Sequence, residues 1–443
     1  MKPWLLCFLA GALTAAGPLR VHESGFLPGS NGSPAGWTTW SARAETAPRT
    51  FVDQSQYRSH AGSLAISGNS NAAEHGGWEY QVPGIEPGKW YRFTAYYRST
   101  GVRAENWQIG ARLDWRKSNS KRAAEPDDVY RAVREGAWTK VSLETQAPAE
   151  ASSVALKLYL SNAPMGIVWW DDISLEQIPT PPPRKVTVAS VNYIPVGAHS
   201  GEESVRQFLS VADRAVGPAA DVILLPEAIT QFQTGQTYFD AAQPIPGPAT
   251  TQLGKLAQSK NSYVVAGVIE REAGTIYNTA VLIDRRGALV GKYRKVHLPR
   301  GEVEGGMTPG NDYPVFPTDF GTVGLMVCYD VFFADPARAL NLKGAELLLM
   351  PIEGGVEPLG RARAIENRVF LAASGSTNYP TYILDPDGEI LAQAHDRGTA
   401  AIATIDLAKR YVHPHRGDMR QRYVKELRLD IPAGEPGFAE FER

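Results

Sequence analysis

The sequence predicts a chain of mixed α+β and α/β class, with an antiparallel β-sandwich over residues 21–178 and a layered α/β domain over residues 186–443. Three observations predict this. All ten tryptophans lie at or before Trp170. Ile178-Pro-Thr-Pro-Pro-Pro183 divides the chain with a stretch that favours extended polyproline geometry and acts as a semi-rigid spacer, so residues 179–185 read as a linker. The hydrophobic pattern also changes across that linker, from period-two alternation to near-continuous apolar runs. A length of 443 residues exceeds one ordinary domain. A net charge of -2 gives no electrostatic case for nucleic acid or an anionic membrane as partner. Two cysteines exclude a disulfide scaffold and a four-cysteine zinc site.

At the N-terminus, Lys2 precedes an apolar run through Ala16, the pattern of a secretory signal over residues 1–16. Thr14 and Ala16 suit the -3 and -1 positions of a cleavage site. The run is shorter than the roughly 20 residues that cross a bilayer. The competing reading is a short hydrophobic helix that stays on the protein. Leu6 ahead of Cys7 argues against lipid attachment, where a small residue is required. No other segment reads as a membrane span, so the expected location is exported, periplasmic or extracellular.

In the first half, Trp90-Tyr-Arg-Phe-Thr-Ala-Tyr-Tyr-Arg98 puts Tyr91, Phe93, Ala95 and Tyr97 on one face. Residues 153–160 alternate likewise, and residues 167–175 close the half. Strand-sized runs bounded by glycine and proline turns argue a sandwich. Trp170-Asp-Asp-Ile-Ser-Leu175 and Gly136-Ala-Trp-Thr-Lys-Val141 resemble jelly-roll modules of the carbohydrate-binding and galactose-binding-like type. Trp78, Trp107 or Trp115 would then offer a platform for a glycan partner; the competing reading puts these rings in the core. Asp171 and Asp172 are adjacent on a strand and point to opposite faces, so no metal is assigned to them.

In the second half, apolar strands are expected at residues 185–191, 221–227, 262–268, 279–284, 321–328 and 346–350, with a helix-compatible stretch through Val216. Strands apolar throughout are covered on both faces, which means an α/β layered core. Glu227 closes Val-Ile-Leu-Leu-Pro-Glu; a carboxylate there is either solvated or kept as a general base whose pKa burial raises. Lys295 lies in Gly291-Lys-Tyr-Arg-Lys-Val-His-Leu-Pro299, where Val296 and Leu298 suggest a strand that re-enters the core. A buried ammonium could lower a thiol pKa and hold an oxyanion. Cys328 ends a buried strand ahead of a helix with Asp335 as N-cap, Pro336 in its first turn and Gly344 as its stop. Backbone N–H groups at such a site can stabilise a thiolate or oxyanion. Each residue also has a bland reading, as solvated acid, solvated cation or small buried hydrophobe.

Taken in order, Leu-Leu-Pro-Glu227, Tyr-Arg-Lys295-Val-His-Leu and Val-Cys328-Tyr-Asp resemble the nitrilase superfamily of carbon–nitrogen hydrolases. Gly360-Arg-Ala-Arg-Ala-Ile-Glu-Asn-Arg-Val-Phe370 and the turn Asp385-Pro-Asp-Gly388 extend the likeness over residues 186–425. The resemblance implies a four-layer αββα sandwich, no cofactor, and a small amide-type substrate. It casts Glu227 as general base, Lys295 as electrostatic stabiliser and Cys328 as nucleophile. Lys295 and the backbone N–H of Tyr329 would hold the oxyanion. Glu302 is the candidate for a second glutamate, with Glu304 as runner-up. His297 and Asp330 match family positions and read as supporting groups, and Arg338 as a helix anchor. Phe333-Ala-Asp335 departs from the family's Phe-Pro-Glu. The family also implies a homodimer or larger homo-oligomer. Rival readings are an N-acyltransferase using the same residues, or a glycan-binding protein on a non-catalytic scaffold.

Overall fold

The computed structural model describes residues 19–218, 220–354, 356–375 and 381–431. The expected leader, with Cys7, lies outside the described residues. The chain divides into two compact units. One holds the described residues up to Pro181 together with those from Val412 onward; the other is Pro182–Tyr411.

The first unit consists of a seven-stranded and a five-stranded antiparallel sheet around one core. The alternation read at residues 90–98 falls on the strand Trp90–Thr100, where Tyr91, Phe93, Ala95 and Tyr97 are buried. Trp78 and Trp115 are each 1% exposed, and their indole N–H groups donate to Ala65 O (3.1 Å) and Asp127 Oδ2 (2.9 Å). Trp107 donates to Asp430 Oδ1 (3.1 Å) and lies under the Arg428 guanidinium at 4.2 Å. The three rings named as a sugar platform are therefore core residues or already covered; in a sandwich, large aromatics gain most by burial. Asp171 accepts the backbone N–H groups of Arg58 (2.7 Å) and Asp172 (2.8 Å), while Asp172 pairs with Arg58 Nη1 (2.5 Å). The two carboxylates tie a loop to the last sandwich strand.

The C-terminal segment departs from expectation. The sequence reads residues through 443 as part of the second domain, whereas the described part from Val412 groups with the first unit. Gln421 Nε2 donates to Asp127 Oδ1 (3.1 Å), and its Oε1 accepts the Asp128 N–H (2.9 Å). Lys425 Nζ donates to Ile109 O (2.7 Å), and Asn106 Nδ2 to Leu427 O (2.8 Å). The helix Met419–Glu426 is polar on nearly every face, and only Gln421 in it is buried. It docks by hydrogen bonds rather than by an apolar stripe, so periodicity carried no sign of it. Gln421→Ala removes both of these hydrogen bonds, to Asp127 and Asp128, at a cost of about 1–3 kcal/mol. It is expected to speed tryptic cleavage at Arg420, Arg422 and Lys425; an unchanged cleavage rate would show that Gln421 does not hold the segment.

The second unit contains two six-stranded sheets. In one, Lys185–Asn192, Val222–Leu224 and Tyr263–Glu272 run parallel, flanked by antiparallel strands. In the other, Thr322–Leu325, Leu347–Pro351 and Phe370–Ser374 run parallel, with antiparallel neighbours. Val188, Leu224, Val265, Leu325, Leu349 and Ala372 fill the space between the sheets. The helices Gly201–Ala215 and Pro248–Lys260 cover the outer face of the first sheet through Phe208 and Leu253. Asp335–Leu342 and Glu357–Asn367 cover the second through Leu340 and Ala364. The layer order is α, β, β, α, and the parallel strands are mostly apolar because both of their faces are covered. No described helix is long and apolar enough to cross a membrane.

Candidate active site

Loops beyond the carboxyl ends of parallel strands are where α/β sheets place functional groups. Here Glu227 follows Val222–Leu224, Cys328 follows Thr322–Leu325, and Glu353 follows Leu347–Pro351. Cys328 opens a short 3₁₀ turn, Cys328–Phe332, with φ at +40°. A non-glycine residue holds that conformation only where its surroundings impose it. Asp330, fully buried, supplies the constraint. Its Oδ2 accepts the Val327 N–H (2.9 Å) and the Tyr293 hydroxyl (2.7 Å). Its Oδ1 accepts the His297 N–H (3.0 Å) and lies 3.1 Å from His297 Nδ1. One carboxylate thus ties the turn bearing Cys328 to the segment on both sides of Lys295. The His297 ring stacks on Phe333 at 4.0 Å, and Tyr329 packs against Phe332 and Phe333. Asp335, expected as the N-cap, is instead the first residue of its helix, and Ala334 stands at the cap position.

The three cations of residues 292–295 separate, although the strand ends at Arg294 and does not carry Lys295 inward as expected. Lys292 and Arg294 both pair with the buried Glu270, whereas Lys295 turns inward and is 1% exposed. Lys295 Nζ donates to Glu227 Oε1 (2.8 Å) and to Glu302 Oε1 (2.7 Å). Glu227 is 3% exposed and Glu302 is 8% exposed. Of the two candidate glutamates, Glu302 is the one beside Lys295, whereas Glu304 is exposed and pairs with Arg300 at 2.8 Å. On the short helix Arg300–Glu304, residues two apart point to different sides.

Asn278, 1% exposed, was not among the residues read from the sequence. Its Nδ2 donates to Glu227 Oε1 (2.7 Å) and Glu302 Oε1 (3.0 Å), and its carbonyl accepts the Lys295 N–H (2.8 Å). The strand expected from residue 279 in fact runs Thr275–Ile283. A polar residue just outside an apolar run gave no signal. Glu353 was missed too; its N–H donates to Glu227 Oε2 (3.0 Å), and the next carbonyl, Gly354 O, accepts from Cys328 Sγ (3.4 Å).

Burial pushes the Cys328 thiol up, and Glu227 pushes it further by charge and hydrogen bonding; Lys295 and the Glu353 N–H only partly oppose this. Burial alone would draw the Lys295 ammonium down, but Glu227, Cys328 and Glu302 together hold it above its ordinary value. Burial raises Glu302, with Glu227 adding to the rise and Lys295 and Asn278 opposing it. The site thus sets a thiol held above its ordinary pKa beside Glu227 and an ammonium held above its own. Such a set can transfer a proton from sulfur and stabilise a developing negative oxygen.

The carbon-nitrogen hydrolase family matches residues 187–412, about half of the chain. Omega-amidase NIT2 of Mus musculus is 32% identical over 257 residues, covering 52% of this chain and 91% of the relative. A nitrilase of Pyrococcus abyssi is 35% identical over 208 residues, covering 42% and 78%. The crystal structure of Saccharomyces cerevisiae Nit3 aligns with a TM-score of 0.46 at 21% identity, over 57% of this chain and 96% of that one. Residues up to 186 lie outside the family match. On the extent of that match and the identity to these relatives, the chain belongs to the carbon–nitrogen hydrolase family.

Proposed function

We propose that this hydrolase cleaves small non-peptide amides through a thioester on Cys328, with Glu227, Lys295 and Glu302 as its partners. The observation that carries the reading is the convergence of Lys295 Nζ on both buried carboxylates, 2.8 and 2.7 Å away, beside the only cysteine of the described residues. Glu227 takes the Sγ proton as sulfur bonds to the amide carbon. The carbonyl oxygen gains the negative charge, facing the Lys295 ammonium and the Tyr329 N–H. The intermediate collapses, the C–N bond breaks, and the nitrogen leaves with the proton from Glu227. Water then attacks the thioester, Glu227 takes its proton, and the acid is released as Cys328 regains its hydrogen.

Purified protein incubated with primary amides, terminal amides of dicarboxylic acids, N-carbamoyl amines and nitriles tests the class. Ammonia release is expected from amides ahead of nitriles; a preference for nitriles, or release from none of the amides, overturns the reading. Export rests on the pattern of residues 1–16, and N-terminal sequencing of the secreted protein should begin at Gly17. The first unit is read as a jelly-roll module on its sequence motifs; any glycan contact must use side chains other than the buried Trp78 and Trp115. Pairing of two copies rests on family resemblance, and native mass spectrometry tests it.

A further inference from the structure

We propose that Asn278 is a positioning residue for this reaction, an uncharged clamp that lets two buried carboxylates share one ammonium while Glu227 stays free to act as base. The inference rests on the reading of Glu227 and Cys328 just given. Both N–H groups of Asn278 Nδ2 are used, on Glu227 Oε1 (2.7 Å) and Glu302 Oε1 (3.0 Å). Lys295 Nζ takes the same two oxygens at 2.8 and 2.7 Å. Two acceptors and two donors therefore close a ring, with a single positive charge in it. The amide orientation is fixed by its neighbours, since a flipped Asn278 would turn Oδ1 toward both carboxylates. The Asn278 carbonyl also accepts the Lys295 N–H (2.8 Å), so one residue sets the main chain of the lysine and the side chains of both acids.

The outer oxygens distinguish the two acids. Glu227 Oε2 accepts the Glu353 N–H, while Glu302 Oε2 is buried and has no hydrogen-bond partner among the described residues. Glu227 thus accepts on both of its oxygens, whereas the outer oxygen of Glu302 has room for a proton. A second cation in place of Asn278 would hold both acids ionised and weaken Glu227 as a base. A neutral donor supplies the geometry without that cost. The titratable groups that face Glu227 are Lys295, Glu302, Cys328, Glu353 and Tyr238.

The test compares the full chain with Asn278→Ala and Asn278→Asp on one amide, across pH, with Glu227→Gln alongside. Asn278→Ala is expected to lower kcat about 10²-fold with little change in KM, as misplacement of a catalytic group does. Loss of one charge-assisted hydrogen bond should move the acidic limb of kcat/KM up by about one pH unit, and Asn278→Asp should move it further. An unmoved limb in folded Asn278 variants overturns the clamp. Full activity in Glu227→Gln overturns the underlying base assignment instead, so the two failures are distinct. Should Asn278→Ala not fold, Asn278→Ala/Glu302→Gln decides the matter. Removing the second acid restores the fold if the clamp's task is to hold two carboxylates together, and failure to restore it overturns the proposal.

Discussion

Cys328→Ala is expected to lower amide hydrolysis by at least about 10⁴-fold while leaving the fold intact, measured as ammonia release and as an unchanged thermal transition. The magnitude follows from removing the nucleophile of a covalent mechanism, where the remaining binding and oxyanion groups retain only a small fraction of the acceleration. The fold should tolerate the change because the constraint on this turn comes from Asp330, which holds Val327, Tyr293 and His297 without using the sulfur. Cys328→Ser should be nearly as inactive. Glu227 and Lys295 are arranged around a thiol, and a hydroxyl, being harder to ionise, gives up its proton less readily. Retention of even a tenth of the parent's turnover in Cys328→Ala would place the chemistry elsewhere.

Lys295→Met is expected to abolish activity and also to destabilise the second unit by about 3–5 kcal/mol, the cost of breaking a buried pair by removing one partner. At this size that lowers the unfolding midpoint by about 10 °C. The residue left behind is not a neutral cavity but Glu227 and Glu302 against each other, with only Asn278 between them. The pH dependence follows from the sign of the shift. Glu302 is already raised by burial with Lys295 present, and removing the cation raises it further. A group whose folded pKa exceeds its unfolded value contributes stability below the unfolded pKa and loses it as pH rises through the folded pKa. The deficit of Lys295→Met should therefore be smallest near pH 4 and largest at neutral pH. A deficit independent of pH, or a variant as stable as the parent at pH 7, would contradict this account of the cluster.

Much of the second unit was legible because its parallel strands are apolar on both faces, and Glu227 and Cys328 stand where those runs end. Lys295 was legible by contrast: Val296 and Leu298 mark a segment going inward, while Lys292 and Arg294 pair at Glu270. Glu302 could not be separated from Glu304 by spacing, since burial on one side of a five-residue helix decides between them. Asn278 gave no signal because a single polar residue beside an apolar run resembles the solvent-facing member of an alternating strand. In the first unit the tryptophans marked a β-rich region correctly, but ring size does not say which face a ring occupies. Trp78 and Trp115 went inward. The segment from Val412 was invisible for another reason: Gln421 and Lys425 dock through polar contacts that leave no hydrophobic period.

The central claim is that turnover passes through an acyl group on Cys328. Rapid mixing with a good amide, acid quench and intact-mass analysis measure it directly. A transient gain equal to the acyl group is expected, mapped to the peptide containing Cys328, with complete loss of turnover once that thiol is stoichiometrically alkylated. Ammonia release that survives full alkylation of Cys328 would contradict it.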